Sequence, residues 1–168
     1  MINKIFDSNN SSVWLILSIL SLVVGTFISL MTPVFISLVR FQTDTNIGFS
    51  PTQAATLYQV LAFIVLAIGL YFVYKLSKKS LRIVGGLLGV GLFSLVSFMA
   101  FNQYIYVDED YIEAGNGFGG NQYGWSEIKE LYYDKNDDGV EWFELVTSDG
   151  NKIEVVFGGL LNTAAKNH

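Results

Sequence analysis

Residues 57–101 read LYQVLAFIVLAIGLYFVY, KLSKKSLR and IVGGLLGVGLFSLVSFMAF, which are two uncharged apolar runs joined by a basic link. A third uncharged run, VWLILSILSLVVGTFISLMTPVFISLV, covers residues 13–39. A helix needs about 18–20 apolar residues to cross a bilayer, and each run reaches that length. The sequence therefore predicts a multi-pass cell-membrane protein with transmembrane helices at about 13–39, 55–75 and 82–103, together forming a domain over 1–103.

The first apolar run is longer than a bilayer requires. It exceeds the 7–15 residues of a signal-peptide core and lacks a small-x-small cleavage pattern, so we interpret it as a retained helix. At a rise of 1.5 Å per residue it spans about 40 Å, against a hydrocarbon core of about 30 Å. The helix must tilt, protrude or bend, and we expect a bend at Pro33.

The basic link sets the expected orientation. It carries four positive charges and no acid within residues 75–82. The positive-inside rule places it in the cytoplasm, with the N-terminus cytoplasmic and the C-terminal domain extracytoplasmic. The reverse topology would put four bases outside. In the other connection, we expect residues 49–55 to form a turn and a helix start, with Ser50 as the cap and Pro51 at the first helical position.

Small residues recur at four-residue spacing in the first and third runs, a pattern that permits close approach of helices. They either pack the three helices together or dock another membrane protein. No ionisable residue lies inside a run, which argues against transport by this chain alone. The predicted packing positions are Ser21, Gly25, Ser29, Gly85 and Gly89.

Residues 104–168 form an acidic domain. They hold thirteen of the fifteen acids and four lysines, a net charge of −9, against +4 for the rest of the chain. Such a surface repels nucleic acid and favours basic partners. There is no cysteine, and the single histidine, His168, is the last residue. We therefore expect a non-enzymatic protein with no catalytic residues and no cofactor.

Short runs of strand formers separated by Gly, Asn and Asp predict a small antiparallel sheet in this domain. The expected strands are 104–107, 111–114, 128–133, 140–147 and 152–157, followed by a helix at 160–166. In the last strand, Ile153, Val155 and Phe157 share one face. The predicted fold class is thus a membrane protein of α+β type, and a continuation of the chain beyond residue 168 stays open.

The strand pair, the segment YGWSEIKEL at 123–131 and the hairpin around SDGNKI at 148–153 resemble the bacterial pleckstrin-homology-like (PH-like) domains of small membrane proteins. The resemblance covers about 60 residues, and the five strands expected here are fewer than the seven of a full domain of that kind. It implies that Trp125 fills the core, Ser126 caps a turn and Ile128 starts a strand. Fold-level likeness assigns no activity.

One segment has the start of a calcium loop. Asp134, Asn136 and Asp138 stand at positions one, three and five, with Gly139 at six. The twelfth position is Leu145 instead of a bidentate Glu. A polar hairpin turn is the alternative, and any calcium site would be weak.

Two functions from different classes remain. In the first, the acidic domain binds a protein partner, such as a basic toxin or bacteriocin against which the chain is an immunity protein. The expected contact residues are Trp142, Phe143, Glu141 and Glu144, because aromatic residues with charged neighbours often form binding centres. In the second, the helices recognise another membrane protein, and the chain is an accessory subunit of a transporter or channel.

Overall fold

The structure, a computed structural model, describes residues 11–40, 46–135 and 141–156. Three long helices account for the apolar runs: α1, Ser11–Arg40, α2, Gln53–Lys75, and α3, Lys79–Phe101. Each is long and apolar enough to cross a membrane. Large apolar side chains on them face outward, including Phe27 at 68% exposed and Leu87 at 70%. The prediction of three long apolar helices is confirmed.

The chain divides into two compact units. The first comprises Met1–Thr32 with Thr56–Ala100, and the second comprises Pro33–Ala55 with Phe101–His168. Helix α1 continues through Pro33 and contributes to both units. Beyond Pro33, the Ile36 side chain is buried against Phe49 and two tyrosines of the second unit, here called the β unit. The excess length of the first apolar run therefore supplies part of the second unit's core.

Glycines bring the helices of the first unit close together. A Cβ at Gly69 would lie 2.8 Å from the Cα of Gly89, so α2 and α3 touch backbone to backbone there. A Cβ at Gly25 of α1 would collide with the ring of Phe63 in α2. The Ser18 hydroxyl adds a 2.8 Å hydrogen bond to the carbonyl of Ala67. These contacts pack α1 on α2 and α2 on α3.

The remaining predicted packing positions differ in their surroundings. The Ser29 side chain is fully buried and donates to the Gly25 carbonyl at 2.7 Å, one turn back in α1. The Ser21 hydroxyl donates to the Ser18 carbonyl at 2.8 Å. A Cβ at Gly85 would meet only the Leu76 side chain, at 3.5 Å, and one at Gly91 would meet nothing within 4 Å.

The second unit contains two antiparallel sheets. The first has the order β1-β2-β3-β4 and the second β5-β6-β7. The five strands expected from the sequence are present, and two more were not predicted. The strands are β1, Asn46–Pro51, β2, Tyr104–Asp108, β3, Tyr111–Gly115, β4, Gly120–Gly124, β5, Ile128–Lys135, β6, Glu141–Thr147, and β7, Lys152–Val156.

Strand β1 corrects the reading of the loop between the first two helices. Ser50 and Pro51 do not start a helix; they end β1, and α2 begins at Gln53. β1 pairs with β2, with Phe49 opposite Tyr106. Proline is tolerated in an edge strand, where one side of the backbone has no ladder to join. The whole helical hairpin α2–α3 is therefore the connection between two paired strands.

Strand β4 is not among the predicted strands, and its sequence, GNQYG, has little strand propensity. Its pairing with β3 runs from Tyr111 opposite Gly124 to Gly115 opposite Gly120. In the connecting turn Gly117 has a φ of 93°, which an L side chain rarely adopts. The turn and the neighbouring strand impose the extended conformation on β4.

Strand β2 is buried along its whole length because both faces are covered. Ile105 and Val107 point into one cluster, whose other buried members are Ile112, Leu145, Ile153 and Val155 from both sheets. Tyr104 and Tyr106 point the other way, into the cluster with Phe49 and Ile36. The predicted common face of Ile153 and Val155 is confirmed, whereas Phe157 and the helix expected at 160–166 lie outside the described residues.

The expectation that Trp125 fills the core was wrong. Its side chain is 42% exposed, and its Nε1–H donates to the carbonyl of Asp108 at 3.1 Å. It opens a short 3-10 helix, Trp125–Glu127, in which Ser126 is exposed. The Glu127 carboxylate, instead of Ser126, accepts the Gly124 N–H at 2.7 Å. Ile128 starts the next strand, as expected.

Candidate functional site

The second sheet has one face turned away from the core, here called the outer face. Side chains alternate along a strand, and Phe143 and Leu145 of β6 lie on the core side. The outer face therefore carries residues 130, 132 and 134 of β5, 142, 144 and 146 of β6, and 152 and 154 of β7. The register aligns Tyr132 with Glu144 and Glu154, Asp134 with Trp142, and Glu130 with Val146 and Lys152.

Acidic side chains dominate this outer face. Lys152 is its one cation across the described part of the strands, and its ammonium lies 2.6 Å from the Glu144 carboxylate. That hydrogen bond raises the pKa of the Lys152 ammonium. Four carboxylates against one ammonium leave a local excess of negative charge. The carboxylates belong to Glu130, Asp134, Glu144 and Glu154.

Two aromatic side chains lie among these carboxylates. Tyr132 is 53% exposed, and Trp142 is half-buried. The Tyr132 hydroxyl donates to the Glu130 carboxylate, and this hydrogen bond raises the pKa of the phenol. An exposed aromatic surface between carboxylates suits a cationic side chain, which gains from both the charges and the ring face.

The structure separates the four contact residues expected from the sequence. Trp142 and Glu144 lie on the outer face, but Phe143 packs against the core and its ring lies 5.5 Å from that of Tyr133. Glu141 shares the inner side with Phe143 and pairs with Lys135 at 3.3 Å. The alternation of β6 alone predicts this separation.

Sequence reasoning missed the part of the outer face that β5 and β7 contribute. Glu130, Tyr132 and Asp134 reach the face of Trp142 only through the register of β5 on β6. A bulge between Ile128 and Glu130 shifts that register, so alternation counted from the start of β5 gives the wrong face. The strand alternation counted backwards from Asp134, opposite Trp142, would have found them.

A second candidate site is an open polar cleft of about 550 Å³ between β4 and the β6–β7 turn. Its polar groups already bond to one another: the Asn151 amide donates to Asp149 at 2.7 Å and to the Tyr123 hydroxyl at 3.1 Å. The Thr147 hydroxyl also donates to Asp149, and these bonds lower the pKa of that carboxyl. Such mutual hydrogen bonding organises the turn. The lining residues are Gly120, Asn121, Gln122, Tyr123, Asp149 and Asn151.

The possible calcium loop is only partly described. Asp134 lies in β5, where its Oδ1 accepts the N–H of Lys135 at 2.8 Å. Asn136 and Asp138 lie outside the described residues. Within 11–40, 46–135 and 141–156, no three acidic or histidine side chains gather as a metal site would require. The weak calcium site stays a prediction.

Comparison of the chain with protein-family models, with curated proteins and with solved structures gave no match. The outer face of the second sheet is therefore interpreted from its own geometry and charge.

Proposed function

We propose that this chain is a non-enzymatic multi-pass membrane protein whose β unit captures a basic protein partner on the outer face of the second sheet. The observation that carries the proposal is the arrangement of Tyr132 and Trp142 among four carboxylates, only one of which has an ammonium partner on that face. Excess negative charge accelerates the encounter with a cationic partner, and aromatic side chains supply the contact area.

Membrane insertion is supported by the three long apolar helices and by their outward-facing large side chains. Soluble proteins rarely expose contiguous apolar patches larger than a few hundred Å², so the many exposed large apolar side chains of these helices favour a lipid environment. The first unit accordingly lies in the lipid, with its glycine contacts as the packing seam.

Orientation follows from the strand pairing together with the basic link. β1 precedes α2 and β2 follows α3, so their pairing requires both strands on the same side of the membrane. If α2 and α3 each cross the bilayer once, this pairing supports a topology in which the basic link and the paired strands are on opposite sides of the membrane. The positive-inside rule puts the link in the cytoplasm and the β unit outside.

The strand order favours the PH-like resemblance. Seven antiparallel strands in a group of four and a group of three match the seven strands of a full PH-like domain, once β1 and β4 are counted. In this interpretation, the α2–α3 hairpin is inserted between the first and second strands. The helix expected at 160–166 lies outside the described residues.

The most concrete role is immunity against a cationic toxin or bacteriocin that arrives from outside. A cationic partner arriving from outside would be attracted by the excess negative charge of the outer face. The other candidate, an accessory subunit of a transporter or channel, is favoured by the open surroundings of Gly91 on α3, which leave room for a foreign helix.

The test is binding of a cationic model polymer, polylysine, to the full chain in neutral-lipid nanodiscs, measured by calorimetry. The variant Asp134→Asn with Glu154→Gln removes two exposed outer-face charges, and we expect at least tenfold weaker binding. Its matched control is Glu109→Gln with Asp110→Asn, two exposed acids of the β2–β3 turn. Equal losses in both variants would show general charge attraction and remove the proposed site.

Cell survival separates the two functions. Cells producing the chain are exposed to a panel of cationic bacteriocins, and protection should fall with the outer-face variant and persist with the control. Replacing the apolar surface of α1 and α3 with unrelated apolar residues, while keeping residues 46–51, should leave protection intact. Loss of protection only after the helix replacement would favour the accessory subunit.

A further inference from the structure

Strand β5 is exposed along almost its entire length. Every residue from Lys129 to Lys135 is exposed, and within the described chain β5 pairs only with β6, since the sheet order is β5-β6-β7. One row of its backbone N–H and C=O groups therefore has no strand partner among the described residues. β5 is also the longest of the seven strands, with eight residues.

The centre of this edge is apolar. Leu131 is 60% exposed and Tyr133 is 56% exposed on the inner side, and Tyr132 is exposed on the outer side. Proteins normally protect a free edge with charged side chains, prolines or short strands. Here the charged side chains lie toward the two ends of the strand, at Glu130, Asp134 and two lysines. Both lysines are engaged: Lys129 with the Ser148 carbonyl at 3.0 Å and Lys135 with Glu141 at 3.3 Å.

We propose that the partner adds an extended segment to the free edge of β5, as a fourth strand of the second sheet. This inference rests on the proposed function, because the outer face supplies its charge selectivity. An added strand places alternate side chains on opposite faces. On the outer face they meet Glu130, Tyr132 and Asp134, which favours lysine or arginine. On the inner side they meet Leu131 and Tyr133, which favours apolar residues.

The recognised segment is therefore one in which basic and apolar residues alternate over about seven positions. A second copy of the chain fits less well. In the antiparallel two-fold pairing that aligns most of β5, Tyr132 faces its own equivalent, and Glu130 faces Asp134 of the other copy. Like charges directly opposite each other destabilise a strand pair.

The experiment uses the full chain in neutral-lipid nanodiscs and a heptapeptide in which lysine and valine alternate. We expect binding and slower amide hydrogen exchange across residues 129–135. A peptide of the same sequence with N-methylated backbone on alternate residues keeps the charges but loses the hydrogen bonds, and it should bind at least tenfold more weakly. A glutamate–valine peptide should not bind.

Variants test the apolar side of the edge. Leu131→Asn should weaken binding of the lysine–valine peptide several-fold. Phe118→Asn, which alters an exposed apolar residue of the β3–β4 turn, should leave that binding unchanged. Equal binding of the N-methylated peptide would overturn strand addition and leave the basic-partner function standing. Binding of neither cationic peptide would contradict both. Concentration-dependent protection of β5 without peptide would identify a second copy as the occupant.

Discussion

Helices α2 and α3 approach backbone to backbone at Gly69 and Gly89, and a substitution at either glycine tests this contact. Gly89→Leu forces the two helices apart, since an added side chain would meet the Gly69 backbone at 3.0 Å. Overpacking of this kind costs about 1–3 kcal/mol, and we expect unfolding in mild detergent at a lower denaturant concentration. Gly91→Leu is the control, because nothing lies within 4 Å of that position; equal destabilisation by both variants would contradict the contact.

A second prediction for a single residue concerns the pH dependence of folding stability. The hydrogen bond from Thr147 is the largest cause of the lowered pKa of Asp149, so the ionised carboxylate is favoured in the folded state. Its contribution to stability is present above the ordinary aspartate pKa of about 3.9 and is lost as the pH falls through the lower folded value. The wild type should therefore be more stable than Asp149→Asn at pH 7, and this advantage should shrink as the pH falls through the lowered pKa of Asp149.

Thermal unfolding of the two proteins, followed by tryptophan fluorescence at several pH values, measures this difference. Comparing the pair cancels the titration of the other acids, which both proteins share. A difference that stayed constant down to pH 2 would show that the Asn side chain acts through something other than lost charge.

Strand β1 contributes a fully buried side chain to the core of the second unit. Phe49 is 1% exposed and packs against Ile36 and the ring of Tyr104 at 6.2 Å. Phe49→Ala should lower the free energy of unfolding by about 3–5 kcal/mol, as expected for a buried ring. Phe118→Ala removes a ring that is 68% exposed and should change it little. If the two changes cost the same, β1 is not part of the core.

The sequence predicts the elements whose signal is local. Helices α1 to α3 follow from uninterrupted apolar runs, and β2, β3, β5, β6 and β7 from strand formers bounded by turn residues. β1 and β4 lack such a signal: β1 contains Gly48 and Pro51, and β4 begins and ends with glycine. Their extended conformation is imposed by partner strands, and the partner of β1 lies two helices away along the chain.

The same distinction applies to the candidate site. Trp142 and Glu144 were identified from aromatic and acidic character within one strand. The contributions of Glu130, Asp134 and Glu154 depend on a bulge and on two strand registers, which composition does not encode. The resemblance implied burial of Trp125, but the side chain is 42% exposed, and its indole N–H donates to the backbone carbonyl of Asp108.

For the whole molecule, the first prediction is topology. The chain has no cysteine, so single cysteines at Ser148 and at Ser77 report without background. With a membrane-impermeant thiol reagent on intact cells, Ser148→Cys in the β unit should be labelled and Ser77→Cys in the basic link should not. The reverse result would place the β unit in the cytoplasm, and equal labelling would contradict a membrane crossing by α3, the one helix between the two sites.

The second prediction for the whole molecule concerns the smallest part of the chain that folds as the β unit. A chain of residues 104–168 lacks β1 and leaves Tyr104 and Tyr106 uncovered on one face. Joining residues 46–51 to residue 104 through a short turn should restore the β1–β2 pair in register and the cover that Phe49 gives to the tyrosines, while the Ile36 side chain of α1 remains absent. We expect the joined version to be soluble and to unfold cooperatively, and the shorter version to aggregate. Light scattering and amide exchange compare the two.

Biosynthesis gives the β1–β2 pairing a further significance. β1 leaves the ribosome before α2, but β2 follows only after about 50 more residues, most of them in the two apolar helices α2 and α3. At about 5–20 residues per second, β1 waits roughly 3–10 s for its own partner strand. On a crowded polysome, β2 of a neighbouring nascent chain is a rival, and its capture would produce a domain-swapped dimer with every native contact intact. The length of the α2–α3 hairpin thus sets how long the β1 strand of a nascent chain is open to pairing with another chain.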